Sequence, residues 1–225
     1  MNNLYSRNGL LFWSEEEIEF RQLCQTTIVR AVTECLKTMN RGFEVVQVEA
    51  PLLTPRELLN PNYTDEDVWA CEDGLVLRPE TTMGSFAALP HLLDSHASRR
   101  RRMPICVWQH GKSFRREQDQ PTKFMRLKEF YQLEFQCAFN PTTGKDYSED
   151  LIPVVRDTLA YLIGRPCRTE PSDRLPSYAE WTTDVVCEDN DMEVCSISLR
   201  KDMLPTAKVL EVAVGTDRLI YNRFR

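Results

Sequence analysis

The sequence predicts an α+β fold: a mainly antiparallel β-sheet flanked by helices. Three observations predict it. Segments with strand character outnumber segments with helical periodicity, and most neighbouring strands are separated by short turns. The centre of the chain also lacks the strand–helix alternation that a doubly wound parallel sheet needs.

The elements follow in order. Ser14-Glu15-Glu16-Glu17 is a capping box, and Phe20, Cys24, Ile28, Ala31, Cys35 and Met39 recur in steps of three or four behind it. That spacing predicts one long helix over 15–39, ended by Asn40-Arg41-Gly42. Residues 43–50 are β-rich and run into Pro51 and Pro55, which suits an edge or interface strand. Residues 75–77 form a short strand, and Thr81 or Thr82 caps a short helix limited by Pro90. Residues 105–109 and 113–117 read as two strands, 118–124 as a loop and 125–139 as a long strand. Leu151, Val154, Val155, Leu159 and Leu162 mark an amphipathic helix over 146–162. Residues 177–187 and 192–198 are strands around the acidic turn 188–191. A final strand, 209–214, is broken by Gly215, and Thr216-Asp217 starts a terminal helix carrying Arg218.

Length and composition bound the function. A chain of 225 residues suits a single domain over 1–225. Hydrophobic residues at 42% allow a core without staples. A net charge of -6 argues against coating nucleic acid by bulk charge, although it permits a local basic groove. The run Arg99 to Arg102 is either a solvated turn or a phosphate-contacting patch. None of the eight cysteines forms a C-x-x-C pair and several lie in apolar runs, so they read as reduced, buried thiols of a cytoplasmic protein. The three histidines make no metal-ligand pattern with them. No signal peptide or membrane span is visible.

The central hairpin carries the chemistry. Side chains two apart on a strand share a face, so Arg115 goes with Glu117. By the same parity Arg126, Lys128, Phe130, Gln132 and Glu134 share a face, and Leu127, Tyr131, Leu133 and Phe135 face a core. Cations, an aromatic ring and carboxylates on one face are either cross-strand ion pairs or a polyphosphate platform. Glu211 followed by Gly215 and Arg218 repeats the theme, with Gly215 allowing close approach. Glu193 and Ser196 fall on opposite faces of a regular strand, whereas a bulge or a twist could bring both oxygens to one Mg²⁺. Neither a P-loop nor a dinucleotide fingerprint is present.

Together these pieces resemble the class II aminoacyl-tRNA synthetases. The long helix, its strand and Pro51 look like motif 1; Lys112-Ser113-Phe114-Arg115-Arg116-Glu117 with residues 126–130 looks like motif 2; Gly215-Thr216-Asp217-Arg218-Leu219 looks like motif 3. Within that class the likeness is to glycyl-tRNA synthetase. Leu77-Arg78-Pro79-Glu80-Thr81-Thr82-Met83-Gly84 is similar to L-R-P-E-T-A-Q-G, and Gln109 to Arg115 resembles Q-x-G-K-S-F-R. Ser196 to Asp202 resembles G-I-A-N-R-T-D, and Val209-Leu210-Glu211 resembles the V-I-E before motif 3.

The resemblance implies a ligase that uses ATP and Mg²⁺ to activate a small amino acid, glycine foremost, as an adenylate. The acceptor would be a tRNA acceptor stem or another nucleophile. It implies catalytic roles for Arg115 and Arg218. ATP would be bound by Arg115, Glu117, Arg126, Phe130 and Arg218, with Phe130 under adenine. Glu80, Glu134 and Glu211 would surround the ammonium, Arg200 would lie near the carboxylate, and Glu193 with Ser196 would hold Mg²⁺. It implies a homodimer through the first helix and Pro51. An alternative is a non-catalytic accessory or regulatory module. The chain departs from the family at Ala213, where serine is usual, and at Arg116, where asparagine is common. The stretch between Pro51 and Leu75 is also short, and no C-terminal anticodon-binding domain is expected.

Overall fold

The computed structural model describes residues 9–93, 102–116, 125–143, 146–201 and 207–224. Four helices are α1 (Glu15–Met39), α2 (Thr82–Leu93), α3 (Ser148–Ile163) and α4 (Thr216–Phe224). The strands are β1 (Glu44–Gln47), β2 (Leu53–Pro55), β3 (Leu75–Leu77), β4 (Ile105–Phe114), β5 (Glu129–Phe139), β6 (Cys167–Pro171), β7 (Ala179–Cys187), β8 (Met192–Arg200) and β9 (Lys208–Gly215). A seven-stranded sheet runs in the order β1-β4-β5-β9-β8-β7-β6, and β2 pairs with β3 separately. Only β1–β4 is parallel in that sheet; every other pair is antiparallel. The expected α+β class, with its mainly antiparallel sheet, is therefore found. Among the described residues no helix is long and apolar enough to cross a membrane.

Alternation divides the sheet into two unlike faces. Cys106, Trp108, Leu133, Phe135, Cys137, Val212, Val214, Cys195 and Ile197 join one core with α1, α3 and α4. The other face carries polar side chains at the intervening positions, and α2 covers part of it through Leu89 against Ile105, Val107, Ala138 and Val209.

The capping box forms as expected, with Ser14 accepting from the Glu17 amide and the Glu17 carboxylate accepting from the Ser14 amide. The buried stripe of α1 is Phe20, Cys24, Ile28, Val32 and Leu36. It leaves the expected line after Ile28, because uniform steps of four keep contact with the sheet while Ala31, Cys35 and Met39 are only half-buried. The expected edge strand near residue 43 is β1, at one edge of the sheet.

Several expectations are corrected. The two strands at 105–109 and 113–117 are one strand, β4, paired without interruption from Ile105↔Ala138 to Phe114↔Glu129. The strand expected over 125–139 begins only at Glu129. Pro90 does not end α2, which continues to Leu93; the proline lacks the amide that would bond the Phe86 carbonyl, and the helix runs past that one missing bond. Cys71 is exposed and Cys35 half-buried, although all eight cysteines are free. Residues 99–101 of the arginine run, and the loop at 118–124, lie outside the described residues.

Candidate functional site

Gly111 explains why β4 reads as broken in sequence yet is continuous in space. A Cβ there would sit 2.4 Å from Nη2 of Arg78. The Arg78 guanidinium occupies that space, donating from Nε to Lys112 O at 2.8 Å and from Nη1 to Ala50 O at 2.7 Å. The backbone of Arg78 joins in, accepting from the Phe114 amide at 2.9 Å and donating to Leu52 O at 2.9 Å. Burial pushes this guanidinium below its usual range. The next residues, Pro79 and Glu80, are thereby delivered to the polar face of the sheet.

Glu80, Glu134, Arg200 and Glu211 are all buried. They arrive from four separate segments. In the ladder Gln136 lies opposite Glu211 and Glu134 opposite Ala213, so Glu134 and Glu211 are diagonal neighbours on one face. Ser198 lies opposite Glu211 and Arg200 opposite Val209, which sets Arg200 diagonally on the other flank. Glu211 Oε2 accepts from Arg200 Nη1 at 2.5 Å and from Gln136 Nε2 at 2.7 Å, and its Oε1 accepts from the Tyr178 hydroxyl at 3.2 Å. The Arg200 guanidinium lies 4.0 Å from the Tyr178 ring and 4.8 Å from the Phe86 ring. Glu134 Oε2 accepts from Thr82 Oγ1 at 2.8 Å, at the start of α2.

Three buried carboxylates with one buried arginine among them are short of positive charge. Burial first, then Glu211 and Glu80, push the Glu134 carboxyl up to about 8. Burial and Glu211 also raise Glu80, while Tyr63 and Arg115 oppose the rise. Such a cluster relieves its repulsion by holding a proton, and a small cation bound beside it would do the same in the proton's place.

Of the cations expected to meet phosphates, Arg115 stands beside this carboxylate cluster. Arg115 follows β4; its amide donates to Lys128 O at 2.9 Å, which extends the hairpin by one backbone bond. Its side chain donates from Nε to Pro79 O and from Nη2 to the Tyr63 hydroxyl, each at 3.2 Å. The Arg115 guanidinium lies 5.3 Å from the Phe130 ring centre. Arg126 is exposed and, like Lys128, precedes β5, so the parity expected for these two does not apply. Phe130, Gln132 and Glu134 do share a strand face, and Leu127, Leu133 and Phe135 are buried as expected. Tyr131 is only half-buried, with the Arg21 guanidinium 4.0 Å over its ring. Glu117 lies outside the described residues.

The bulge considered for β8 is present. Val185 pairs with Cys195 and Val186 with Glu193, so Val194 is the extra residue. Val194 and Cys195 both enter the core, which turns Glu193 and Ser196 to the opposite side together. Arg218 reaches this point from α4, donating to Glu193 O at 2.8 Å and lying 3.3 Å from Glu193 Oε1. A Cβ added at Gly215 would meet Arg218 Cδ at an ordinary 3.5 Å, so packing within the chain does not demand the glycine expected for close approach.

Among the described residues no cluster of three or more His, Cys, Asp or Glu side chains is arranged to hold a metal alone. A divalent cation sharing its shell with phosphates needs fewer protein ligands. Asp184, opposite Ser196, is raised to about 6, mainly by burial and also by Glu193. Its Oδ1 is buried without a hydrogen-bond partner among the described residues. An orphaned carboxylate oxygen beside Glu193 and Ser196 fits a hard cation in that position.

Sequence reasoning missed Tyr63 and Tyr178 as pocket residues. Tyr178 was visible only as part of a strand start, and Tyr63 lies in an irregular stretch with no periodicity to place it.

No family model matches the chain. Curated relatives do. The chain is 32% identical over 114 residues to the glycine–tRNA ligase of Mesoplasma florum, covering 48% of this chain and 25% of that protein. It is 31% identical over 122 residues to that of Mycobacterium bovis, covering 51% and 25%. It is 29% identical over 131 residues to that of Mycoplasma mycoides subsp. mycoides, covering 54% and 27%. The chain spans about a quarter of the length of the curated relatives it matches. About half of it is thus a region related to glycine–tRNA ligases.

Proposed function

We propose that the chain activates a small amino acid, glycine foremost, with ATP and Mg²⁺, giving an aminoacyl adenylate and pyrophosphate. The observation that carries this reading is the convergence of Glu80, Glu134 and Glu211 beside Arg200, next to Arg115. Carboxylates bind the ammonium, and Arg200 draws the substrate carboxylate. That carboxylate attacks the α-phosphorus in line, and the bond to the bridging oxygen of pyrophosphate breaks. No protein nucleophile is needed; positioning and charge stabilisation suffice. Arg115 holds the α-phosphate and Arg126 and Arg218 the outer phosphates. Phe130 supports the adenine and Glu117 contacts its amino group. Mg²⁺ at Glu193 and Ser196 would neutralise charge on the phosphates.

The names of the relatives support a tRNA as the acceptor, and the acceptor end is the part that must reach this site. A single domain over 1–225, cytoplasmic residence and a homodimer through α1 and Pro51 complete the reading. Pyrophosphate exchange with each of the twenty amino acids tests it. Glycine-dependent exchange is expected; absence of exchange with all twenty overturns it. Sedimentation at micromolar concentration is expected to show a dimer, and a monomer alone overturns that part.

A further inference from the structure

Tyr63 stands between the two halves of the site. It lies in the irregular stretch between β2 and β3. Its hydroxyl lies 2.7 Å from Glu80 Oε2 and 3.2 Å from Arg115 Nη2. A guanidinium can only donate, so the hydroxyl accepts from Arg115 and gives its single proton to Glu80. The direction of the chain Arg115–Tyr63–Glu80 is thereby fixed. The Arg115 guanidinium also lies 5.8 Å from the Tyr63 ring centre. Its second anchor, Pro79 O, is one residue from Glu80. Arg115 is therefore tied twice to the segment that supplies the pocket carboxylate.

Tyr178 makes a useful contrast. It also donates to a pocket glutamate, Glu211, but the cation beside it, Arg200, stacks on its ring and bonds Glu211 directly. The Tyr63 hydroxyl instead lies between a carboxylate and a cation on opposite sides of the site. Bonds in such a chain polarise one another, so a change at one end is felt at the other.

We propose that Tyr63 is a positioning residue that couples occupancy of the carboxylate pocket to the placement of Arg115. Its hydroxyl, donating to Glu80, favours the ionised carboxylate over the protonated one, and accepting from Arg115 it holds the arginine beside the same segment. The kinetic part rests on the adenylate-forming reading above; the link itself does not.

Tyr63→Phe keeps the ring and removes only the hydroxyl. In pyrophosphate exchange the variant is expected to raise the amino-acid KM about tenfold and lower kcat about tenfold, as loss of one charged hydrogen bond implies. The ATP KM is expected to stay within twofold. All constants within twofold of wild type overturn the coupling. A second measurement needs no activity. The Glu80 carboxyl, assigned with Glu80→Gln, is titrated by carbon NMR in wild type and in Tyr63→Phe. Glu80 faces Glu134, Glu211, Arg115, Arg200 and Tyr63, and of these only Tyr63 changes. The Tyr63 bond lowers the Glu80 carboxyl, so its midpoint is expected to rise in the variant; an unchanged midpoint overturns the link. Wild type without exchange would sink the adenylate reading alone, because the titration still decides whether Tyr63 governs Glu80.

Discussion

The two ends of the site are built differently. At the carboxylate end Glu134, Arg200 and Glu211 lie inside regular strands and are buried; Arg200 bonds Glu211, and Thr82 bonds Glu134. At the cationic end Arg115, Arg126 and Arg218 lie outside the strands, Arg126 is exposed, and the other two are half-buried. Under the proposed reading the small guest meets walls set by the strand ladder, and the polyphosphate meets cations set beside that ladder. The carboxylate end is part of the fold, and the cationic end is attached to it.

That contrast predicts opposite mutational signatures. Arg200→Ala is expected to cost the most stability, about 3–5 kcal/mol, because it strands Glu211 as an unpaired buried charge. Denaturant unfolding measures it, and a loss below about 1 kcal/mol would erase the distinction. Arg115→Ala is expected to reduce exchange about 10²–10³-fold, the scale for losing one preorganised donor to a developing charge. Its unfolding midpoint should move far less than that of Arg200→Ala.

A pH series sharpens the same contrast. Glu134 binds its proton up to about pH 8 in the folded protein, far above the ordinary carboxylate range. Between the ordinary range and 8 the folded state therefore holds a proton that the unfolded state has released. Stability must fall as pH rises through that window, by at most about 1.4 kcal/mol per pH unit for this one group. Around Glu134 stand Glu80, Glu211, Thr81 and Thr82, with Arg78 nearby. Glu134→Gln should flatten the decline and stabilise the protein at pH 8, which thermal melts at pH 5 and pH 8 can check. Binding of an ammonium at neutral pH should release a proton, seen as buffer-dependent heat in calorimetry. The smallest structural effect belongs to Arg126→Ala, whose stability should stay within about 0.5 kcal/mol of wild type while the ATP KM rises.

Much of this was legible in sequence, but unevenly. Strand parity found the working face at Phe130 and Glu134, because a period of two survives wherever the ladder is regular. At Arg126 and Lys128 it has no strand to apply to, since both precede β5 and parity says nothing about where a strand begins. The bulge at Val194 could be posed from Glu193 and Ser196 but not decided, since it depends on pairing with β7. The gap read between 109 and 113 is filled in space, because the arginine that packs where Gly111 lacks a side chain lies 33 residues earlier in the chain. Tyr63 had no local pattern; only the fold brings it to Glu80. The strands β2 and β6 were missed because each is short and rich in polar residues or proline.

The nesting of Arg78 against Gly111 has a consequence for how this chain can change over time. A side chain at 111 would force a shift in a buried guanidinium bonded to three carbonyl oxygens, two residues from Glu80. A smaller residue at 78 would leave those carbonyls bare and a void behind a glycine that no longer serves a purpose. Neither position can drift alone. Across descendants of this sequence the two should be inherited as a unit, and a lineage that loses one should lose the other and the carboxylate two residues beyond Arg78.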